Sequence, residues 1–332
     1  MKDSIVGYIR TNKMQLALLA VLILATTFNL IPHEAAAMGV LGFGGTTTIT
    51  QAFVQQFDTT IRTQAQQKNS RFEARVTDRG SITGESFTAN KLGMVEDTPE
   101  NSVRHGDTQW SDITHGTRVA LMRDFYQALP VDRADEPKVL ANPNGDYMSS
   151  LLAAWNRRKD QIIYAAGLGN SQTKEGDQVA LPAGQKIAAG GTGFTKAKLI
   201  TAKKIFRANE CDSEADDPQE LYITYTSEML EDILADTSLT SADFMAVKML
   251  QEGNLAGKWM GFNWVPYEKV NNVGGTYSAM AWAKKAIHFG TGFFEGKSQR
   301  RGDKKDTMQL SAAGSVGAVR VWEDAVVQID FV

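Results

Sequence analysis

Cysteine is almost absent from this chain: Cys211 is the only one in 332 residues. No disulfide can therefore form within it, and a zinc site built on cysteine pairs is excluded. A lone thiol is in keeping with a reducing cytosol. Histidine is nearly as scarce, and His33, His105, His115 and His288 show no metal-ligand spacing, so they read as surface or interface side chains. An excess of one charge is also missing. Thirty-five Lys and Arg stand against 38 Asp and Glu, a net charge of -3, whereas a dedicated nucleic-acid binder draws its affinity from a basic surface. Enclosing nucleic acid without gripping it remains compatible with that balance.

The signatures of catalysis are lacking as well. The glycine-rich stretch 39–45, GVLGFGG, has no Lys-Ser or Lys-Thr at the Walker spacing and lacks the third glycine of a dinucleotide loop. The acidic run 211–219, CDSEADDPQ, lacks the glycine that gives a calcium loop its sharp turn. Around Ser315, Ala313 stands where a nucleophile elbow needs glycine. No catalytic, cofactor-binding or metal-binding residue is assigned, and the expectation is a protein that is not an enzyme and carries no cofactor. Arg301-Gly302-Asp303 matches an integrin tripeptide, but three residues are too few to carry that reading.

What is present is a globular composition, 42% hydrophobic and 22% charged, long enough for one core or two smaller ones in contact. Its first 37 residues are unusual. Lys2, Arg10 and Lys13 precede an apolar run from Leu16 to Phe28, and Pro32 leads to Ala35-Ala36-Ala37. These are the regions of a secretory signal, with cleavage expected after Ala37, and the run is short for a membrane span, which needs roughly 17 to 25 apolar residues. Three readings stand: a dispensable or processed extension with the mature chain starting near Met38, a structural hydrophobic helix, or export.

From residue 49 to 67 the pattern is helical, with Phe53, Phe57 and Ile61 on one face. In 71–95, Phe72, Ala74 and Val76 alternate before Asp78-Arg79-Gly80, and a second strand from Glu85 would return to make a polar hairpin. Such a ribbon is marginal alone and wants another surface to lie on. Asn142 to Gly145 reads as a turn and Asp146 as the cap of the longest helix, 146–166, which carries Arg157, Arg158 and Lys159 as a solvated or intersubunit face. A Gly/Ala/Gln/Thr linker follows, then a helix capped by Thr195 with Lys196, Lys203, Lys204 and Arg207 opposite an apolar stripe. Residues 296–306, GKSQRRGDKKD, read as a charged loop in which Arg300 and Arg301 neighbour Asp303 and Asp306. The last residues alternate Val327, Ile329 and Phe331 against Gln328 and Asp330, a closing strand.

The most ordered stretch is 221–265. Leu221, Ile223 and Tyr225 alternate with Tyr222 and Thr224 as a strand with two unlike faces. Ser227 can cap a helix bearing Met229, Leu230, Ile233 and Leu234, a second helix starts at Ser241 and stops at Gly253, and 259–265 alternates again as a strand. This order, with its Leu-Ala-Asp, Thr-Ser-Ala-Asp-Phe, Gly-Asn-Leu and Gly-Phe-Asn-Trp-Val segments, resembles the axial domain of tailed-bacteriophage major capsid proteins, which have the Hong Kong 97-type coat fold. The Gly-Ala-Val-Arg preceding the closing strand resembles that family's carboxyl end, so the likeness spans roughly 53–332.

The resemblance implies an α+β subunit with these parts: an N-terminal extension 1–37, an arm 38–70, an extended hairpin loop 71–98, a peripheral domain 99–210 holding the spine helix 146–166, an axial domain 211–290 and return strands 291–332. It implies self-association into hexamers and pentamers of an icosahedral shell around double-stranded DNA, assembled in the host cytoplasm and residing in the virion. Scaffold, portal and decoration or cement proteins are the further partners, with no sequence-specific DNA binding and no stable membrane association. An exported surface or binding protein, and a cellular nanocompartment shell of the same fold, are the alternatives.

Overall fold

The computed structural model describes residues 64–133, 143–235 and 258–332, apart from 96, 98–99, 101–103, 108–109, 213 and 216. The N-terminal extension, the glycine-rich stretch, the 49–67 helix up to residue 63, His33 and the helix expected from Ser241 lie outside the described residues.

In chain order, β1 (Thr77–Ser81), β2 (Ser86–Leu92), β3 (His115–Leu121) and β4 (Arg123–Val131) precede the long helix α1 (Pro143–Leu168). Three short strands, β5 (Ser171–Thr173), β6 (Gln178–Val179) and β7 (Lys186–Ile187), lead to α2 (Lys196–Ala208). Then come β8 (Leu221–Tyr225), α3 (Ser227–Ala235), β9 (Lys258–Trp259), β10 (Phe262–Pro266), β11 (Asn271–Val273) and β12 (Thr276–Ala283). The long strands β13 (Ile287–Arg301) and β14 (Thr307–Arg320) and the closing β15 (Val326–Phe331) complete the chain. They form three sheets: β7-β15-β12-β8-β10-β9 with β11 on β12, β1-β13-β14-β4, and β2-β3-β5-β6.

The first sheet holds the core. All five residues of β8 are buried, which corrects the two-faced strand expected there: β8 lies between β10, parallel to it, and β12, antiparallel to it. A strand covered on both faces reads as a continuous apolar run, and its parallel neighbour needs a crossover connection. Here α3 lies within that connection. Thr226, not Ser227, caps α3, since its Oγ1 accepts the Met229 amide at 3.2 Å. Ser227 is tied instead to Glu268 through both its amide and its hydroxyl. The single strand expected over 259–265 is a hairpin of β9 and β10, because Met260 and Gly261 turn the chain with φ of 49° and 83°. That is the left-handed backbone a two-residue hairpin turn needs, and glycine adopts it freely.

Helix α1 starts at Pro143, where the missing N–H is no loss. Asp146 therefore falls in the first turn, beside the positive helix end, and is not the cap. At 1.5 Å per residue the helix is about 39 Å long, and Leu151, Trp155, Ile162 and Ile163 are buried along it. Gly314 of β14 lies directly under the Trp155 indole, where a side chain would collide with the ring. In α2, the stripe Leu199, Ala202 and Phe206 is fully buried as its spacing predicts, while the Thr195 side chain makes no capping bond.

Two expectations fail in an instructive way. Residues 71–95 do not fold on themselves: 73–75 form a 3-10 turn, β1 runs parallel to β13 with Thr77 beside His288, and β2 pairs with β3. Phe72 and Val76 are 0% and 2% exposed, part of the main core. The charged 296–306 loop is mostly strand, since β13 and β14 stay paired out to Arg301–Thr307 and turn over Gly302–Lys304. Among the described residues, no group of three or more His, Cys, Asp or Glu is placed to hold a metal ion, and no helix is long and apolar enough to cross a membrane.

Candidate assembly surface

Functional geometry here means surfaces, and the ribbon of β2 and β3 with the chain beyond it offers one. The two strands pair from Ser86–Leu121 to Leu92–His115, and Gly93 bonds to Thr114 beyond them. The near end packs on the body: Phe87, Ala89 and Ala120 lie on Val319 and Val321, with Ile82, Met122 and Trp322 at the margin. Beyond it, Leu92, Met94, Val95, Trp110 and Ile113 are exposed, Met94 by 89% and Trp110 by 93%. Large apolar side chains gathered on one projection mark a surface that another molecule covers.

The near end also carries an ion cluster. Glu323, buried in the turn between β14 and β15, accepts Lys91 Nζ at 2.6 Å and Arg118 Nη2 at 2.7 Å. Burial works to raise its pKa, but the bonds from Lys91 and Arg118 win and hold it below the ordinary glutamate value. Nearby Arg320 is fully buried and donates to the carbonyls of Gly167 and Gly169 at the end of α1 and of Val179 in β6.

The positive run on α1 is partly engaged within the chain: Lys159 is buried and Arg157 half-buried, which corrects the solvated-face reading for Lys159, while Arg158 is exposed as that reading expects. Lys159 is buried against Glu73 at 2.6 Å, Arg157 donates to Gln66 and Gln67, and Arg158 lies 4.6 Å over the Phe125 ring. Asp160 is fully buried and accepts the Gln67 side chain, the Ser70 hydroxyl and the amides of Arg71 and Phe72. Together these fasten segment 66–73 across the spine helix.

On α2, Lys203 and Arg207 pair with the buried Asp212, and Lys204 is exposed. Lys198, at 8% exposure, donates to the carbonyls of Ala189, Thr192 and Gly193. Burial lowers its pKa.

Of the histidines, His105 and His115 are exposed as expected, whereas His288 is buried in β13 with its Nδ1 accepting Arg79 Nε at 3.2 Å. Burial, then the Arg79 charge, pushes its pKa down to about 4. Arg301 and Asp303 bond to each other through two 2.8 Å contacts, so the tripeptide is closed on itself. Asp306 pairs with Arg133. Cys211 is half-buried, and burial together with Asp324, Asp212 and Glu210 raises its pKa, which favours the thiol over the thiolate. It borders a cleft of about 940 Å³ with Lys91, Met94 and Trp322. A second groove, about 340 Å³, lies between β4 and α1 at Tyr126, Trp155 and Arg158.

Glu323, Asp160 and Arg320 are the buried, bonded charges that sequence reading did not single out. Of these only Arg320 is a lone charge among apolar neighbours, in Ala318-Val319-Arg320-Val321-Trp322, and that interruption is the one signal it leaves; Glu323 stands beside Asp324 and Asp160 follows Arg157-Arg158-Lys159, so neither stands out.

A large buried sheet, a long helix and a ribbon whose large apolar side chains are exposed among the described residues are features that suit a shell-building coat protein. The chain belongs to the phage capsid protein family, whose sequence profile, described as "Phage capsid protein", matches residues 49–332. Among solved structures it is similar to the capsid of cyanophage P-SCSP1u, with a TM-score of 0.66 at 16% identity over 91% of this chain and 98% of that one. The capsid of Ralstonia phage GP4 gives 0.63 at 11% identity over 88% and 97%. The head of Helicobacter pylori bacteriophage KHP40 gives 0.63 at 11% over 87% and 98%. No curated protein sequence matches. The fold is thus the α+β Hong Kong 97-type coat fold that 221–265 resembles, and the chain is a major capsid protein of the tailed-phage type that forms the head shell.

Proposed function

We propose that copies of this chain close into an icosahedral shell of hexamers and pentamers around double-stranded DNA, without enzymatic activity of their own. The observation that carries this reading is the ribbon beyond Leu92, whose Met94 and Trp110 are almost wholly exposed on one subunit and gain burial on a neighbouring copy. A standard interface buries only about 1,600 Å², and many modest contacts add around a closed lattice. The sheet around β8 serves as the axial domain, 211–290, at the capsomer centres. Helix α1 and the β13–β14 ribbon belong to the peripheral domain, 99–210, and the return strands, 291–332. Residues 38–70 serve as the arm, and 1–37 are removed or dispensable. The extended loop is carried by β2, β3 and the chain between them, because 71–76 belongs to the core. Scaffold, portal and decoration proteins join the shell, which is built in the host cytoplasm and forms the virion; no stable membrane association accompanies it.

The test replaces 93–114 by a short turn. A deletion over 71–95 would instead tear Phe72 and Val76 from the core. The expected outcome is a folded, soluble subunit that forms no closed shells in electron microscopy, while the unaltered chain, given scaffold from the same genome where needed, forms them. Normal shells from the shortened chain, or a strictly monomeric unaltered chain, would sink the reading.

A further inference from the structure

The near end of the β2–β3 ribbon is held in three ways, and two of them are weak. The ladder from β3 to β5 is short, Arg118–Thr173 and Val119–Gln172. The apolar patch under the ribbon takes Phe87 but otherwise two alanines, Ala89 and Ala120, which bury little area and lock little shape. Neither is directional in the way an ionic hydrogen bond is.

The third is the Glu323 cluster, and it is directional. Lys91 comes from β2 and Arg118 from β3, so one carboxylate ties both strands, with Arg118 Nε at 3.0 Å adding to the Nη2 bond. Lys91 also lies 5.2 Å from the Trp322 ring, and it sits on the loop side of the Ala89–Arg118 pair. The charged groups facing Glu323 are thus Lys91, Arg118 and, from β14, Arg320, whose pKa Glu323 works to raise against burial. A buried charge with several ionic hydrogen bonds has one favourable geometry, because any tilt leaves charges unpaired out of water.

We propose that Glu323 is a positioning residue that sets the angle at which the β2–β3 ribbon leaves the subunit, and through it the curvature of the lattice that copies build. The curvature part rests on the assembly reading above; the anchoring part does not. Arg320 extends the linkage to the end of α1 through Gly167 and Gly169. The ribbon angle is therefore referred to the spine helix as well as to the turn before β15.

Glu323→Gln in the full chain keeps the shape and removes the charge. Hydrogen exchange at 86–92 and 115–121, corrected for intrinsic rates, is expected to rise about ten- to hundredfold, the scale of a charge-assisted hydrogen bond. Exchange in β8, β12 and β15 stays unchanged, and shells become heterogeneous in diameter by electron microscopy.

A pH series separates positioning from simple packing. The folded-state pKa of Glu323 is depressed, so its anchoring is complete above the ordinary glutamate value and is lost as pH falls through the depressed one. The unaltered chain should approach the variant in that acid window, while the variant does not move.

Unchanged ribbon exchange in Glu323→Gln overturns the proposal, and so do uniform, normal shells built from a loosened ribbon. Should Glu323→Gln fail to fold, Lys91→Met, which removes one partly exposed arm of the cluster, is read the same way, and unchanged exchange there overturns it too. Absence of shells from the unaltered chain strikes the assembly reading instead, and the exchange comparison still decides the anchor.

Discussion

Trp282 and Trp110 show what separates the two halves of this molecule. Trp282 is fully buried in β12, stacked on Tyr222 at 5.6 Å, edge-on to Phe72 at 5.4 Å and donating its indole N–H to the Arg75 carbonyl at 3.0 Å. Trp110 is 93% exposed between β2 and β3. A buried indole is worth several kcal/mol to the fold, while an exposed one is worth nearly nothing until something covers it. The central sheet is thus finished within one copy, whereas the ribbon leaves large apolar side chains exposed on it.

Paired substitutions make that contrast sharp. Trp282→Ala is expected to cost about 3–5 kcal/mol and to leave little soluble subunit, measured by denaturant unfolding. Trp110→Ala should move subunit stability by no more than about 0.5 kcal/mol yet reduce shell yield. Equal losses of stability from the two would break the comparison.

Asp160→Ala comes next. It strands the Ser70 hydroxyl and the amides of Arg71 and Phe72 without an acceptor, and is expected to cost about 3 kcal/mol. A full-size unfolding transition at lower denaturant would show that segment 66–73 is part of the subunit and not of a free arm.

His288 gives a smaller, pH-dependent effect. Its folded pKa near 4 lies below the unfolded value of about 6.5, so the unfolded chain binds more protons between the two. Stability is complete above about pH 6.5 and is lost as pH falls toward 4, by at most about 3 kcal/mol over the whole interval. Thermal melts of His288→Gln should lack this slope; a slope that persists would place its origin in another group. At the far end of the scale, Arg301→Ala breaks an exposed pair on the β13–β14 ribbon and should leave the melting temperature unchanged.

The halves also differ in how far they could be read from sequence. The closing strand was legible because Val327, Ile329 and Phe331 face a core while Gln328 and Asp330 are only partly covered. Helix α1 was legible within three residues at its start, the error coming from Pro143, which reads as a turn but fits a first helical position. The coat fold itself was legible through the resemblance of 221–265, although β8 looked two-faced because Tyr222 and Thr224 carry polar tips on buried side chains. The distal β13–β14 ribbon was not legible: from Phe293 to Arg300 every residue of β13 is exposed, so no alternation marks it. Nor was β1, whose partner lies some two hundred residues away, from Thr77 to His288. Local alternation suggested a local hairpin, and pairing at such separation leaves no local trace.

Strands β3 and β4 are separated by Met122 alone, so the chain passes from one sheet to another without a loop. A tug on the 93–114 loop along β3 is therefore delivered straight into β4, which is paired with β14 from Arg123–Val316 to Val131–Met308. Pulled lengthwise, those hydrogen bonds resist together in shear, since bonds perpendicular to the strands must all slide at once and cannot open in turn like a zipper. The projection is in this sense a tether, and its strength comes from the sheet into which it is woven.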